Sequence, residues 1–285
     1  MDSHIWRKVY STVRSVERSV PRMGRRKEFS DVLIVGMFLW TVWHDRPLCW
    51  ACERSSYGSL FRPRKLPSVS QFCKRMKSVR VQMLLQRVFD KLAETGRQTA
   101  MCFLDARPLP VGPCSKDQDP RPGRVYGGFA RGYKLHAMIT ANGRTLAWSV
   151  TDLPTSEAKA AEALVEAAKP RGIVVADANY DRSPLYELVA QYGGRLLAVP
   201  RKGAGGGHRK QSEERLTSLF LWRRVGSVMR RKRVRIECSF GNQSMYGGGL
   251  APLPAWVRTL ERVQRWVGAK LIIHHARLAV KKAAA

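Results

Sequence analysis

The sequence predicts an α/β fold, in which helices flank a mixed β-sheet, preceded by a small all-helical N-terminal domain. Up to about residue 97 the apolar residues follow helical spacing, whereas after Gly96 they form short strand-like runs. Two of these runs flank Asn142-Gly143, and an Asn-Gly pair between alternating segments is a strong hairpin signal. The complete order, β-β-β-α-β-α-β followed by helices, favours a sheet covered by helices. The predicted domains are residues 1–97 and 98–285.

The N-terminal domain is predicted to be helical. Ser30 and Asp31 are candidate caps for a long apolar helix. A basic amphipathic stretch that begins at Ser68 predicts one or two further helices, which stop near Gly96. A short helix, a turn with proline and a basic helix are compatible with a helix-turn-helix DNA reader. The same pattern describes many small helical bundles, so the sequence leaves both interpretations open.

The second domain carries the predicted sheet. Its expected strands are TAMCFLD, GYKLHAMIT, RTLAWSVT, RGIVVAD and GRLLAVP. Ser156 is expected to cap an alanine-rich helix that ends before Pro170. The next helix has Pro184 in its first turn, and Asp181 is its expected N-cap. From about residue 212 to 278 the sequence predicts helices that are interrupted at YGGGLAPLP.

The chain is strongly basic, with 51 Lys and Arg against 22 Asp and Glu and a formal net charge of +29. A fold does not need this excess and self-repulsion opposes it, so a polyanionic partner is expected. Nucleic acid is the first candidate, because neutralising phosphates supplies most non-specific affinity. An anionic membrane surface is the rival, but no run of about 18 apolar residues predicts a membrane span.

Six cysteines are few for this length, and several lie in apolar runs, which favours free thiols in a reducing cytoplasm. Cys49 and Cys52 have the spacing of metal ligands, with His44 as the nearest further candidate. No second pair follows at the distance of a zinc site. The pattern therefore favours two buried thiols on an apolar helix over a metal site.

Three acidic residues lie on separate segments of this basic chain: Asp105, Asp177 and Glu237. Each Asp ends a predicted strand, and reactive groups of open α/β sheets gather at the C-terminal ends of strands. If the two strands are neighbours, both carboxylates reach one point, and a helix crossing that edge could add Glu237. Carboxylates held together repel one another unless cations lie between them. Hard divalent ions such as Mg²⁺ suit this chemistry, and two of them would support phosphodiester displacement.

The segments around these residues carry a family resemblance. In chain order, FLDARPLPV, YGGFARGYKLHAMITANGRTLAWSVTD, VVADANYDRSPLYELVAQYGGRLLAVPRKG and RKRVRIECSFG resemble the DDE-type transposases of bacterial insertion sequences. The upstream LPSVSQFCKRM looks like the segment before their catalytic domain, and the likeness covers about residues 25–280. It implies an RNase H-like fold with Asp105, Asp177 and Glu237 as the metal-binding catalytic triad. It also implies cutting at element ends and joining of the freed 3′-OH to target DNA, with two Mg²⁺ ions per site and Mn²⁺ as a substitute.

The last of these segments departs from the family pattern at two positions. Many relatives carry a Tyr, an Arg, the Glu and a following Lys there. Arg233 stands four residues before Glu237 as expected, but Arg230 and Ser244 occupy the Tyr and Lys positions. The departures leave open a decayed or co-opted DNA-binding protein beside an active transposase. A related nuclease that cuts without joining is a further interpretation.

Several basic residues near these segments are predicted to contact DNA. Lys134 and His136 lie on a strand expected to face the site, with a surface lysine and a hydrogen-bonded strand histidine as the alternative. The other predicted contacts are Arg201, Lys202, Arg230, Arg231, Lys232, Arg233 and Arg235. The expected partners are double-stranded DNA, as terminal inverted repeats and target, and a second copy of the chain in a synaptic homodimer. The expected location is the bacterial cytoplasm, in association with the nucleoid.

Overall fold

The computed structural model describes residues 3–21, 27–94, 99–201, 211–245, 250 and 253–283, except for the side chains of residues 235 and 243–245. The chain divides into two compact units. A helical unit contains residues 1–95, 243–250 and 254–285, and a sheet unit contains residues 96–242 and 251–253. The predicted division assigned all residues after 98 to the second domain, whereas the last helix packs within the helical unit.

Serine side chains cap the starts of two helices in the helical unit. Its helices are α1 (Ser3–Val16), α2 (Asp31–Trp43), α3 (Val69–Met76), α4 (Val79–Ala93) and α8 (Leu260–Ala283). Ser30 Oγ accepts a hydrogen bond from Leu33 N at 3.2 Å, which confirms the predicted cap of α2. Ser68 and Gln71 form a reciprocal capping box at α3. The basic stretch after Ser68 is therefore two helices.

Aromatic side chains fill the core of the helical unit. Trp6 is 1% exposed, and its ring centroid lies 4.7 Å from that of Trp40 and 5.2 Å from that of Phe61. Helix α8 packs against α1, α2 and α4 and is buried over the consecutive residues 266–272. A helix that buries consecutive residues is surrounded by its neighbours, which explains why its sequence shows no clear amphipathic stripe.

The cysteine pair of the helical unit lies on a short 3-10 helix, Leu48–Cys52, rather than on an α-helix. Cys49 is exposed and Cys52 is half-buried, so the expectation of two buried thiols is met only in part. Burial raises the pKa of the Cys52 thiol to about 11. Within the described ranges, no group of three His, Cys, Asp or Glu side chains is placed to hold a metal ion.

The sheet unit contains a mixed sheet, which confirms the predicted α/β fold. Its described strands are β1 (Met101–Pro110), β2 (Arg121–Val125), β3 (Gly128–Thr140), β4 (Thr145–Asp152), β5 (Ile173–Ala176) and β6 (Arg195–Ala198). The order is β2-β3-β1-β5-β6, and β4 also pairs with β3. Strand β1 is antiparallel to β3 but parallel to β5, which is parallel to β6. The predicted hairpin at Asn142-Gly143 is present between β3 and β4, with Gly143 at φ 82°.

Two features of the sheet were not predicted from the sequence. Strand β1 does not end at Asp105 but continues to Pro110, because β3 pairs with it as far as Gly132. Strand β2 pairs with the first residues of β3, in a stretch whose arginines and glycines carry no alternation of apolar residues. Both additions depend on pairing with β3, so no local pattern of the sequence could reveal them.

Helices cover the sheet, whereas the candidate site lies at the ends of its strands. Helices α5 (Glu157–Ala168) and α6 (Ser183–Gln191) pack on the face that carries Leu104, Val174 and Leu196. The next residues along these three strands are buried on the opposite face. Helix α7 (Glu213–Met245) has 33 residues and is therefore about 50 Å long. No helix in the described ranges is both long enough and apolar enough to cross a membrane.

A buried ion pair fixes the first turn of α7. The side chain of Asp181 accepts hydrogen bonds from Arg215 Nε at 2.7 Å and from Arg215 Nη2 at 2.8 Å. It also accepts hydrogen bonds from Arg201 N and from the Tyr186 hydroxyl. Burial alone would raise the pKa of Asp181, but the hydrogen bonds from Arg215 and Arg201 hold it below its usual range. The predicted N-cap role of Asp181 is wrong, because Arg182 occupies that position without a side-chain cap.

Replacing Arg215 should expose the importance of this pair. Arg215→Met leaves the Asp181 carboxylate buried without its partner, and we expect the free energy of unfolding to fall by about 3–5 kcal/mol at pH 7. Because the folded-state pKa of Asp181 is depressed, the contribution of the pair is present above the unfolded pKa of about 4 and is lost as pH falls through the folded value. Urea denaturation at pH 7 and at about pH 2 should therefore show a difference that shrinks in acid.

The double variant Asp181→Asn/Arg215→Met is the matched control, because it removes both charges together. It should lose less stability than Arg215→Met alone. Equal stability of Arg215→Met and the unaltered chain at pH 7 would contradict the role given to the pair.

Candidate active site

Backbone pairing brings Asp105 and Asp177 side by side. The parallel register of β1 and β5 pairs Leu104 with Ala176, and this is the last pair of the ladder. The next residue on each chain is the Asp, so the two carboxylates are neighbours where the parallel pairing ends. The two strands are adjacent, as the sequence argument required, although Asp105 lies within β1 rather than at its end.

Asp105 is the more deeply buried of the two carboxylates, with 9% of the residue exposed. Burial raises its pKa to about 6. The positive charge of Arg233 and a hydrogen bond from Ala106 N oppose this rise, and the negative charges of Asp177 and Glu157 add to it. Asp105 is therefore a carboxylate that changes its charge close to neutral pH.

Asp177 has a structural role as well as its place beside Asp105. It caps the short 3-10 helix Ala178–Tyr180, and its Oδ1 accepts a hydrogen bond from Asn179 N at 2.8 Å. Burial raises the pKa of Asp177, the Asn179 hydrogen bond lowers it, and the charge of Glu157 raises it further. The cap fixes the direction of the carboxylate at the end of β5.

Arg233 of helix α7 supplies the positive charge of the site. Its Nη2 lies 3.5 Å from Asp105 Oδ2, and its charge acts on both Asp105 and Asp177. The sequence placed Arg233 among DNA contacts; the structure places it against the carboxylate pair. Helix α7 is thereby located at the same sheet edge, which the sequence could only suppose.

A third carboxylate, Glu157, belongs to the same cluster and was missed by the sequence analysis. It stands in the first turn of α5, and its Oε1 lies 3.2 Å from Lys134 Nζ. Its Oε2 accepts a hydrogen bond from Asn179 Nδ2 at 3.0 Å, and the same amide nitrogen lies 3.3 Å from Asp177 Oδ2. Asn179 therefore links Glu157 to Asp177. The only sequence signal was an acidic residue directly after the predicted cap Ser156.

The two basic residues of β3 are held within the protein. Lys134 also donates a hydrogen bond to Thr155 O at 3.3 Å, and its side chain is 13% exposed. His136 is 0% exposed, and its Nε2 lies 2.9 Å from Thr151 Oγ1. Burial, and then the charge of Lys134, lower the pKa of His136 to about 4, so the ring is neutral at pH 7. This geometry favours the alternative of a hydrogen-bonded strand histidine for His136.

Glu237 lies one turn beyond Arg233 on α7. Residues four apart share a helix face, so Glu237 follows Arg233 on the same face, about 6 Å along the axis. Glu237 is exposed, and the carboxylates whose charges act on Asp105 are Asp177 and Glu157. The structure thus brings Asp105 and Asp177 together and leaves Glu237 one helical turn away from the contact that Arg233 makes.

The remaining predicted DNA contacts are distributed around the site. Arg201 is exposed, but its guanidinium donates hydrogen bonds to Ala178 O and Asn179 O in the turn after Asp177. Three basic residues form an exposed group on α7, namely Arg230, Arg231 and Lys232. Lys202 and the side chain of Arg235 lie outside the described residues.

The site retains polar groups that suit an oxygen-rich ligand. Among the described residues, Arg233 Nε and the Tyr180 hydroxyl are buried and have no hydrogen-bond partner. Buried polar groups normally find partners, so these two mark capacity for a further acceptor such as a phosphate oxygen. The adjacent carboxylates of Asp105 and Asp177 are the oxygen ligands that Mg²⁺ and Mn²⁺ prefer. The residues present therefore fit both a divalent ion and a phosphodiester.

Fold and site together define an RNase H-like domain with paired carboxylates at the end of its parallel central strands. The chain belongs to the transposase DDE domain family, whose model matches residues 98–273. It is thus a transposase family member, as the resemblance of the sequence indicated.

The chain is similar to a solved structure described as a piggyBac transposase synaptic complex with hairpin DNA, at 10% identity over 99% of this chain and 74% of that chain. The TM-score of this similarity is 0.47. No curated protein matches the sequence.

Burial of the charged Asp105 carboxylate should lower the free energy of unfolding of the protein. A rise in pKa from 3.8 to about 6 corresponds to about 3 kcal/mol of destabilisation once the group is ionised. Because the folded state binds the proton more tightly, stability falls as pH rises from about 4 to about 6. We expect Asp105→Asn to stabilise the metal-free protein by up to about 3 kcal/mol at pH 8 and to make no difference at pH 4.

Chemical denaturation in the presence of EDTA measures this effect. Asp119→Asn is the control, because it removes the same charge from an exposed residue of the same unit and should change stability little. Destabilisation of Asp105→Asn at pH 8 would contradict the account.

Proposed function

We propose that this chain is an active transposase that cuts DNA at the ends of an insertion sequence and joins the freed end to target DNA. The observation that carries the proposal is the adjacency of Asp105 and Asp177 at the end of the β1–β5 ladder, in a chain of the transposase DDE domain family. In the first step a water oxygen bonds to the phosphorus at the element end while the P–O3′ bond breaks, which leaves a 5′-phosphate on the flanking DNA and a 3′-OH on the element. In the second step this oxygen bonds to a target phosphorus while a target P–O3′ bond breaks, so phosphodiester bonds are conserved.

The proposed metal ligands are Asp105, Asp177 and Glu237. When bound, two divalent ions supply activation of the attacking oxygen and stabilisation of the leaving one. Asp105 must give up its proton to serve as a ligand, and its pKa near 6 allows this at neutral pH. The third ligand, Glu237, requires α7 to present a residue one turn beyond Arg233 to the carboxylate pair.

The other residues of the site have supporting roles in the proposal. Arg233 balances the charge of the carboxylates, and its unpartnered Nε is available to a phosphate oxygen. Asn179 and Glu157 hold the Asp177 carboxylate in one orientation. Lys134 holds Glu157 in turn, which gives it a positioning role rather than direct contact with DNA.

Double-stranded DNA is the proposed partner, both as terminal inverted repeats and as target. The net charge of +29 and the exposed basic residues of α7 support it. Two ends must meet in one complex for transposition, so we also propose a homodimer in the synaptic complex. We further propose that the helical unit binds DNA and that the protein associates with the nucleoid. Binding by the helical unit has the basic helices α3 and α4 in its favour.

A decayed or co-opted DNA-binding protein is the competing function, and Arg230 and Ser244 motivate it. It predicts tight binding to element ends without any cleavage in Mg²⁺ or Mn²⁺. A nuclease without strand transfer predicts cleavage but no joined products. A labelled pre-cut end incubated with plasmid target identifies a transposase, because joined products arise only from strand transfer. Cleavage of a labelled uncut end then separates the nuclease from the decayed protein.

Substitution of the proposed ligands should separate cleavage from binding. We expect Asp105→Ala, Asp177→Ala and Glu237→Ala each to lower metal-dependent cleavage by more than about 10³-fold, equivalent to about 4 kcal/mol. DNA binding in EDTA should survive, because these residues carry no positive charge. A purified variant that cleaves normally would remove that residue from the ligand set. Asp119→Ala serves as the control for a carboxylate outside the site.

DNA affinity should depend steeply on salt, with exposed arginines of α7 contributing. Each neutralised phosphate contributes about −0.9 to the slope of log affinity against log salt. Arg230→Gln/Arg231→Gln should therefore flatten the slope by about 1.8. The matched control is Arg171→Gln/Arg195→Gln, which removes the same charge from two other exposed residues. Both lie at the N-terminal ends of β5 and β6, whereas Asp177 follows the C-terminal end of β5. A slope that is flat for the unaltered chain would argue against a nucleic-acid partner.

A further inference from the structure

Strands β2 and β3 extend beyond the sheet as a two-stranded ribbon, residues 121–131. Strand β1 follows β3 only as far as Gly132, so residues 128–131 of β3 have β2 as their ladder partner. The turn is tight: Val125 pairs with Gly128, and the two residues between them are Tyr126 and Gly127. Gly127 has φ 84° and Gly128 has φ 154°, which glycine adopts without strain.

The base of the ribbon is anchored to the sheet unit. A Cβ at Gly123 would lie 2.8 Å from Leu153 Cγ, so the backbone of β2 is packed closely against the chain after β4. Arg131 donates hydrogen bonds to Asp117 O at 2.8 Å and to Pro120 O at 3.3 Å. The ribbon therefore projects from a fixed base, which holds its tip in a defined place.

The tip of the ribbon exposes two aromatic rings. Tyr126 is fully exposed and Phe129 is 75% exposed. Arg124 and Phe129 are cross-strand partners on the same face, with the guanidinium carbon 5.9 Å from the ring centroid. Exposed aromatic rings on a projecting element are available to a partner, because burying them against it would remove their surface from water.

The charge of the ribbon indicates which partner this is. Its sequence, RPGRVYGGFAR, contains three arginines and no acidic residue. Arg121 Nε lies 3.6 Å from Asp152 Oδ2 in an exposed ion pair, which contributes little to stability. A polyanion with apolar faces fits this combination, and duplex DNA offers both phosphates and stacked bases. A two-stranded ribbon is also narrow enough to enter the major groove, and aromatic wedges can part base steps in the minor groove.

We propose that the β2–β3 ribbon is a DNA-binding element that places Tyr126 and Phe129 against the bases of duplex DNA, with Arg124 on the backbone. The inference rests on the proposed function only in taking DNA as the partner of the chain.

The ribbon acts away from the reacting phosphate. Asp105 pairs with Ala137, and Gly128 lies nine residues earlier on β3. At about 3.3 Å per residue the tip is about 30 Å from the carboxylates, which is about nine base pairs. The ribbon therefore contributes to the affinity for DNA and leaves the chemical step to the carboxylate site.

The test is the double variant Tyr126→Ala/Phe129→Ala in the full chain, with a short duplex that contains 2-aminopurine. Loss of aromatic contact with bases should lower the affinity by about 5- to 100-fold. The slope of log affinity against log salt should be unchanged, because no charge is removed. In contrast, Arg124→Gln should flatten the slope by about 0.9. The 2-aminopurine fluorescence that rises when the unaltered chain parts the base stack should not rise with the double variant.

Two controls make the outcome decisive. Phe220→Ala removes another exposed phenylalanine beneath an arginine, since Arg224 lies 4.4 Å from its ring centroid, and it should leave affinity and fluorescence unchanged. Phe129→Leu keeps an apolar side chain without a flat ring and should resemble Phe129→Ala. Thermal melting should be the same for all variants, because the replaced groups are exposed.

Each result either supports or overturns the inference. If the unaltered chain binds DNA and the double variant binds equally well, the ribbon is not the proposed element, while the proposed function stands. An equal loss in Phe220→Ala would likewise overturn the assignment to the ribbon. If the unaltered chain does not bind duplex DNA in low salt, the proposed function fails and the inference falls with it.

Discussion

The parallel pairing of β1 with β5 is the constraint on which the site depends. It sets Asp105 next to Asp177 through backbone hydrogen bonds, so the arrangement does not rely on side-chain packing. Burial raises the pKa of Asp105, and the adjacent charge of Asp177 adds to the rise. Two neighbouring groups interact with the pair. The guanidinium of Arg233 lies near Asp105, and the backbone N–H of Asn179 orients the carboxylate of Asp177. The ladder therefore creates an electrostatic cost that the neighbouring elements reduce but do not remove.

Helix α7 has to reach this edge from a distance, and two contacts determine its course. Its first turn is held by the buried pair of Arg215 and Asp181, and a later turn is held by Arg233 against Asp105. These contacts are 18 residues apart along the helix, or about 27 Å. Asp181 follows Asp177 by four residues, so one short segment after β5 fixes the start of the helix and also carries part of the site. An error in that segment would disturb both.

The sequence predicted the parts of the fold that depend on local pattern. The cap Ser30, the helices that follow Ser68, the hairpin at Asn142-Gly143 and the central strands all follow from neighbouring residues. The sequence could not predict strand β2 or the length of β1, because partners distant in the chain define them. Asp181 was misjudged for the same reason, since a position before a helix suggests a cap while Arg215 lies 34 residues later. Glu157 was missed because an acidic residue in the first turn of a helix is ordinary in sequence.

Two further carboxylates, Glu157 and Glu237, differ in the contacts that they make. This difference affects which of them could complete a metal site. Glu157 is closer to the pair in its electrostatic effect, yet both its oxygens are engaged, one by Lys134 and one by Asn179. Recruiting Glu157 would break an ion pair and release the amide that orients Asp177, so it would damage the site that it joined. Glu237 is exposed and shares a helix face with Arg233, one turn further along. Recruiting it would leave the Asn179 network intact, although a displacement of α7 by one turn would also disturb the contact of Arg233 with Asp105. These contacts give Glu157 the role of holding Asp177 in place, which is why Glu237 rather than Glu157 is the third ligand that we propose.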